Sequence, residues 1–122
     1  MIDHIGIRVR NIEASIAFYT TLLDAQAIAL AKNWHGVQLK DHAAAQLFLQ
    51  QNPDHLTQNG YFSLALENNH TVDKAYQQAL ALGATIISAP KMRQEYGIEY
   101  YGFILKDIDD NVFGIISKNQ KT

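Results

Sequence analysis

The chain contains no cysteine. That excludes a disulfide framework, a thiolate metal site and a cysteine nucleophile, and it fits a reducing compartment. A cytoplasmic location is therefore expected. No apolar run approaches the roughly 18 residues of a membrane span, and the N-terminus runs straight into an alternating strand, so neither a membrane partner nor a signal peptide is expected. Charge of one sign is not in excess. The 10 Lys and Arg nearly balance the 12 Asp and Glu, the net charge is −2, and the basic residues are scattered. Nucleic acid is accordingly not an expected partner. Proline is scarce, and Pro53 and Pro90 both fall between regular segments. What the chain does have is 122 residues, 48% of them hydrophobic. That is one domain's worth of ordinary globular sequence, able to bury roughly two thirds of its unfolded surface.

It also says nearly the same thing twice. Residues 3–9 read Asp-His-Ile-Gly-Ile-Arg-Val, and residues 60–66 read Gly-Tyr-Phe-Ser-Leu-Ala-Leu. In the first, Ile5, Ile7 and Val9 share one face, and His4, Gly6 and Arg8 the other. Asn11 suits an N-cap, and Ile12, Ile16, Tyr19 and Leu23 then recur at helical spacing. Strand signals follow near 26–31, 34–40 and 44–50, the last with Ala45, Leu47 and Leu49 on the core face. The polar stretch 51–59 reads as a linker.

In the second copy Phe62, Leu64 and Leu66 face the core, and Tyr61, Ser63 and Ala65 oppose them. Thr71 is placed to cap a helix that Gly83 ends as a left-handed residue. Strands fit 85–88, 99–106 and 111–117, and residues 107–111 form a tight turn. The stretch 89–98, holding Pro90 and Gly97, reads as a loop. The fold class is therefore α+β, a single domain over 1–122. It consists of two tandem βαβββ modules, 1–50 and 60–118, joined by the 51–59 linker.

This arrangement resembles the vicinal oxygen chelate superfamily, which contains glyoxalase I, extradiol dioxygenases, and the fosfomycin and bleomycin resistance proteins. The residues carrying the resemblance are Asp3-His4-Ile5-Gly6-Ile7-Arg8-Val9, Ser15-Ile16-Ala17-Phe18-Tyr19, Ala81-Leu82-Gly83-Ala84, Tyr100-Tyr101-Gly102-Phe103 and the turn Asp107-Ile108-Asp109-Asp110-Asn111. The resemblance implies that the modules curl a mixed sheet into an open cup with the helices outside, and that the protein is a homodimer. It also implies a divalent metal inside the cup, held by imidazole and carboxylate ligands that suit such ions. The metal leaves positions open for two substrate oxygens and acts as a Lewis acid.

Carried over residue by residue, that site is half dismantled. The first-strand histidine is His4. The fourth-strand position holds Gln46, a neutral amide. The second histidine position holds Tyr61, and the final glutamate position holds Gly114. Two neutral remnant ligands, His4 and Gln46, are not expected to bind a divalent metal tightly, because a catalytic site normally has about three protein ligands plus open positions. A tyrosine of ordinary pKa, about 10, ligates metals poorly near neutral pH.

Alternatives for a metal are weak. His35, His42, His55 and His70 form no helical pair and read as solvated. Glu95 and Glu99 are loop carboxylates that either replace the missing ligand or are simply solvated. Asp107, Asp109 and Asp110 read as a turn and lack the rest of a calcium loop.

The expected pocket comprises His4, Arg8, Trp34, Gln38, Gln46, Tyr61, Tyr100, Tyr101 and Gly114. Aromatic walls with a few polar groups suit a small molecule, and equally a dimer interface. The leading expectation is a glyoxalase-like small-molecule-binding protein with a degenerate metal site and no tightly held cofactor. The first alternative is an enzyme. It would be a lyase or dioxygenase using non-standard metal ligands, or a metal-free one with His4 as general base. The second is a structural or regulatory homodimer with a vestigial pocket.

Overall fold

Alternation decides the first strand, β1 (Ile5–Val9): Ile7 and Val9 are buried while Gly6 and Arg8 stay at the surface. A computed structural model describes residues 3–40, 42–58, 60–94 and 99–118. Asn11 caps α1 (Ile12–Leu23) by accepting from the Ala14 amide, as its sequence position predicts. Asp24 ends the helix in the left-handed region at φ 52. Then come β2 (Gln26–Ala31), β3 (Trp34–Gln38) and β4 (Leu47–Gln51). The sheet order is β1-β4-β3-β2, with β1 parallel to β4 and the other pairs antiparallel. Phe18, Tyr19 and Leu22 of α1 are buried together with Val37, Leu47 and Leu49 of the sheet.

Two expectations for this unit need correction. The alternation of β4 does not reach back to Ala45. The chain bends before Leu47, and Ala45 lies over Gly36, where an added Cβ would meet Ala45 Cβ at 2.6 Å. The linker is also partly ordered, with Gln51 in β4 and a 3-10 turn at Pro53–His55.

The second unit, from residue 59 onward, repeats the plan with β5 (Tyr61–Ala65), α2 (Asn69–Ala81), β6 (Ile86–Arg93), β7 (Tyr100–Lys106) and β8 (Val112–Lys118). Its order, β5-β8-β7-β6, is the same, again with the first pair parallel. Val72, Ala75 and Ala79 of α2 are buried, as are Leu64, Phe103, Leu105, Phe113 and Ile115 of the sheet. The two tandem βαβββ modules of an α+β fold are thus present.

The helix begins earlier than Thr71 predicts. Asn68 is the N-cap, accepting from the Thr71 amide, and Thr71 answers by accepting from the Asn68 amide. Both residues are good cap formers, and the reciprocal box uses both. Gly83 follows the helix at φ 73, as expected.

The expected loop at 89–98 is strand as far as Arg93. β6 is an edge strand, where a missing N–H is tolerated, and its register shifts between Ser88 and Lys91, around Pro90. Among the loop residues, Glu95 and Gly97 lie outside the described residues.

Candidate functional site

The second unit contains a cavity of about 250 Å³ on the sheet face away from α2. The pairing of β5 with β8 builds its base. Tyr61 lies opposite Val112 and Ser63 opposite Gly114, so Tyr61, Ser63 and Gly114 share this face while Phe62 stacks on Phe113 behind it at 5.2 Å. Gly114 has no side chain, and its neighbours use the room. A Cβ there would meet Ser63 Oγ at 2.9 Å and Tyr61 Oη at 3.5 Å. Ser63 Oγ in turn lies 3.4 Å from Tyr61 Oη. Ile104 and Ile116 supply the apolar wall, and Tyr100 and Arg93 the remainder.

Of the residues expected in a pocket, Tyr61, Tyr100 and Gly114 line this cavity. Arg93 and Ser63 were not among the expected site residues. Ser63 was legible as facing away from the core, but Arg93 was hidden by the bulge around Pro90, which breaks the simple alternation.

Tyr101, also expected in a pocket, does not line this cavity. On β7 it shares the side of Phe103 and Leu105, which are fully buried, and its hydroxyl donates to Asp73 on α2. That hydrogen bond, then burial, then the Asp73 charge raise the phenol from 10 to about 12. The folded state therefore holds this proton more tightly than the unfolded chain does. The associated stability is complete below pH 10 and is lost as pH rises toward 12. Tyr101→Phe should cost about 1 kcal/mol at neutral pH, with the difference fading over that window. Ultraviolet titration should show one late-ionising tyrosine missing from the variant. Identical titration curves would contradict the assignment.

The first unit places its expected residues on the face away from α1. The His4 ring stacks on Phe48 at 4.5 Å, and His4 Nδ1 lies 3.2 Å from Asp3 Oδ2. Trp34, 42% exposed, meets Phe48 edge-on at 6.4 Å. The Ile5 amide donates to Gln46 O at 3.0 Å, bringing Gln46 beside the start of β1. Gln46 Oε1 is shielded from solvent with no hydrogen-bond partner among the described residues.

Arg8 and Gln38 have structural tasks here. Arg8 Nε donates to His55 O, and its amide to Thr57 Oγ1, fastening the linker to β1. Gln38 Nε2 donates to His42 O in the turn before β4. The expectation that all four remaining histidines are solvated fails at His35. It is half-buried on β3, with Nδ1 shielded and without a partner among the described residues. Glu99 is exposed and accepts from Gln94 Nε2 at 3.4 Å.

These side chains do not fit the divalent metal that the resemblance implies. In the second unit the two positions that the resemblance marks for ligands hold a tyrosine and a glycine, with Ser63 Oγ and Tyr61 Oη lying over the glycine. Among the described residues, no group of three or more His, Asp or Glu is placed to hold an ion. Neutral oxygen donors without a carboxylate compete poorly with water for such a cation.

The sequence model of the Glyoxalase/Bleomycin resistance protein/Dioxygenase superfamily matches residues 1–115. The chain is similar to the solved structure of a glyoxalase/bleomycin resistance protein/dioxygenase family enzyme from Burkholderia phytofirmans PsJN. Identity is 23% and the TM-score 0.73, covering 97% of this chain and 98% of that one. It is also similar to a glyoxalase/bleomycin resistance protein from Albidiferax ferrireducens T118, at 18% identity and TM-score 0.79, covering 95% and 98%. A virulence protein from Salmonella typhimurium matches at 21% identity and TM-score 0.71, covering 98% and 97%. At these identities the likeness to solved structures is one of fold. No curated protein matches the chain.

Proposed function

The chain belongs to the glyoxalase/bleomycin resistance protein/dioxygenase superfamily, and from that membership we propose that it binds a small organic molecule in the pocket of its second sheet, without a resident divalent metal. The observation that carries this reading is the absent donor at Gly114, over which the hydroxyls of Ser63 and Tyr61 lie instead of a carboxylate. The same substitutions leave a cavity with apolar walls and a few hydroxyls, the usual chemistry of a small-molecule site.

A second reading rests on the His4–Asp3 contact. A carboxylate beside the imidazole orients it, so His4 is placed for metal-free proton transfer. It predicts that His4→Ala removes turnover of a bound compound while leaving its binding intact.

Calorimetric titration with zinc, nickel and manganese tests the leading reading. No saturable one-to-one site is expected at micromolar metal. A tight site that His4→Ala abolishes would overturn it and move metal-dependent lyase or dioxygenase chemistry ahead.

A further inference from the structure

We propose that the second-sheet pocket takes a neutral aromatic carbonyl compound, its ring over Gly114 and its oxygen hydrogen-bonded by the hydroxyls of Tyr61 and Ser63. This rests on the small-molecule reading above and names the ligand class. Strand pairing lays the site out as a row. Ser63 on β5 lies opposite Gly114 on β8, and Gly114 lies opposite Ile104 on β7. The row therefore runs from a hydroxyl, across bare backbone, to an apolar side chain. Adjacent strands are about 4.8 Å apart, so the row spans about 10 Å, enough for one ring with a short polar group at its edge. A second glycine shapes the apolar end. A Cβ on Gly102 would meet Ile116 Cγ2 at 2.8 Å, so Ile116 leans over β7 beside Ile104, and both isoleucines line the cavity.

The polar end calls for an acceptor without charge. Ser63 Oγ and Tyr61 Oη converge over Gly114, 2.9 and 3.5 Å from the place a Cβ would take. The two hydroxyls hold two protons, and their mutual contact at 3.4 Å uses one of them. The other is left to donate, whichever residue carries it. A carbonyl oxygen accepts that proton and brings none of its own to satisfy, unlike a ligand hydroxyl or amine. Neutral donors do not repay the burial of a full charge, whereas a carbonyl is far cheaper to desolvate. Arg93 also lines the cavity, but its Nε donates to Gly102 O and its Nη2 to Ser88 Oγ. It serves here as wall, and its charge plays no part in holding a neutral ligand. Size limits the ligand further. A cavity of about 150 Å³ accepts benzene, so about 250 Å³ accepts a molecule only a few heavy atoms larger.

Acetophenone and α-methylstyrene are the probes, the second carrying a methylene group where the first has its carbonyl oxygen. Amide NMR on the whole chain follows both. Acetophenone should shift the amides of Ser63, Ile104 and Gly114, and wild type should bind it more tightly than the alkene, although the alkene is the more hydrophobic compound. Tyr61→Phe/Ser63→Ala keeps the ring of residue 61 and removes both hydroxyls. It should reverse the order, changing the ratio of the two Kd values by about tenfold, as expected for one or two neutral hydrogen bonds. Both side chains are exposed, so the core is untouched, and the wild-type order stands alone if the variant folds poorly. Tighter binding of the alkene by wild type overturns the carbonyl assignment and leaves the small-molecule reading in place. A preference for acetophenone that survives in the double variant overturns the role of the hydroxyls. If neither compound moves those amides at millimolar concentration, the inference fails, and the metal titration then decides the parent reading independently.

Discussion

Leu64→Asp should remove about 4–5 kcal/mol of stability and lower the unfolding midpoint by roughly 15 °C. Leu64 is 8% exposed on β5, on the face that packs toward α2, level with Ile115 of β8. The substitution deletes a buried aliphatic chain and puts a carboxylate among apolar groups. Either defect alone is costly, and together they approach the whole stability of a domain this size, about 5–15 kcal/mol. The neighbouring Ala65 lies on the opposite face and is exposed. Ala65→Asp should therefore change stability by no more than about 0.5 kcal/mol. The contrast tests the register directly, because a one-residue slip exchanges the two faces. Thermal unfolding followed by circular dichroism reads both variants. Equal effects, or a larger effect at Ala65, would mean that Tyr61 and Ser63 do not face the pocket.

Asp107→Ala should cost about 3–4 kcal/mol, an unusual penalty for a turn residue. Its carboxylate is buried and accepts from the amides of Asp109 and Asn111 at 2.9 Å and from Asn111 Nδ2 at 3.2 Å. Asn111 is fully buried, and its Oδ1 accepts from the Gly60 amide at 3.2 Å. Val112 N also donates to Gly60 O at 3.0 Å. The turn therefore joins the start of β8 to the start of β5, the two strands that make the base of the pocket. Removing the carboxylate strands three donors away from water. Asp107→Asn should cost less, about 1–2 kcal/mol, because one acceptor oxygen remains. Denaturant unfolding measures both. If Asp107→Ala falls within the range of ordinary surface substitutions, the carboxylate is not holding the turn.

Much of this fold is legible because its signals are local. Asn11 caps α1 and Gly83 follows α2 because caps depend on a few adjacent residues. The turn at 107–111 was readable for the same reason. Errors arose where the backbone departs from simple periodicity. Around Pro90 the bulge shifts the parity of β6, so Arg93 could not be assigned a face from alternation. At Tyr100 and Tyr101, two identical neighbours point to opposite sides, and only the burial of Phe103 and Leu105 decides which one reaches the pocket. The start of α2 was displaced because Asn68 and Thr71 are both competent caps and act together. That Tyr61 and Gly114 stand where the resemblance implies ligands was visible in the sequence. Their mutual crowding with Ser63 was not, since it depends on the parallel pairing of β5 with β8.

Metal content is the most direct test of the claim that this site has exchanged ion binding for small-molecule binding. Elemental analysis should be run on wild type and on Tyr61→His/Gly114→Glu, both purified without chelator. The double variant restores an imidazole and a carboxylate where the neutral phenol and the glycine now stand. The Ser63 hydroxyl, 2.9 Å from the new Cβ position, can rotate aside at little cost. Wild type should carry far less than one divalent metal per chain, and the double variant should gain metal. One tightly bound metal per chain in wild type would contradict the account.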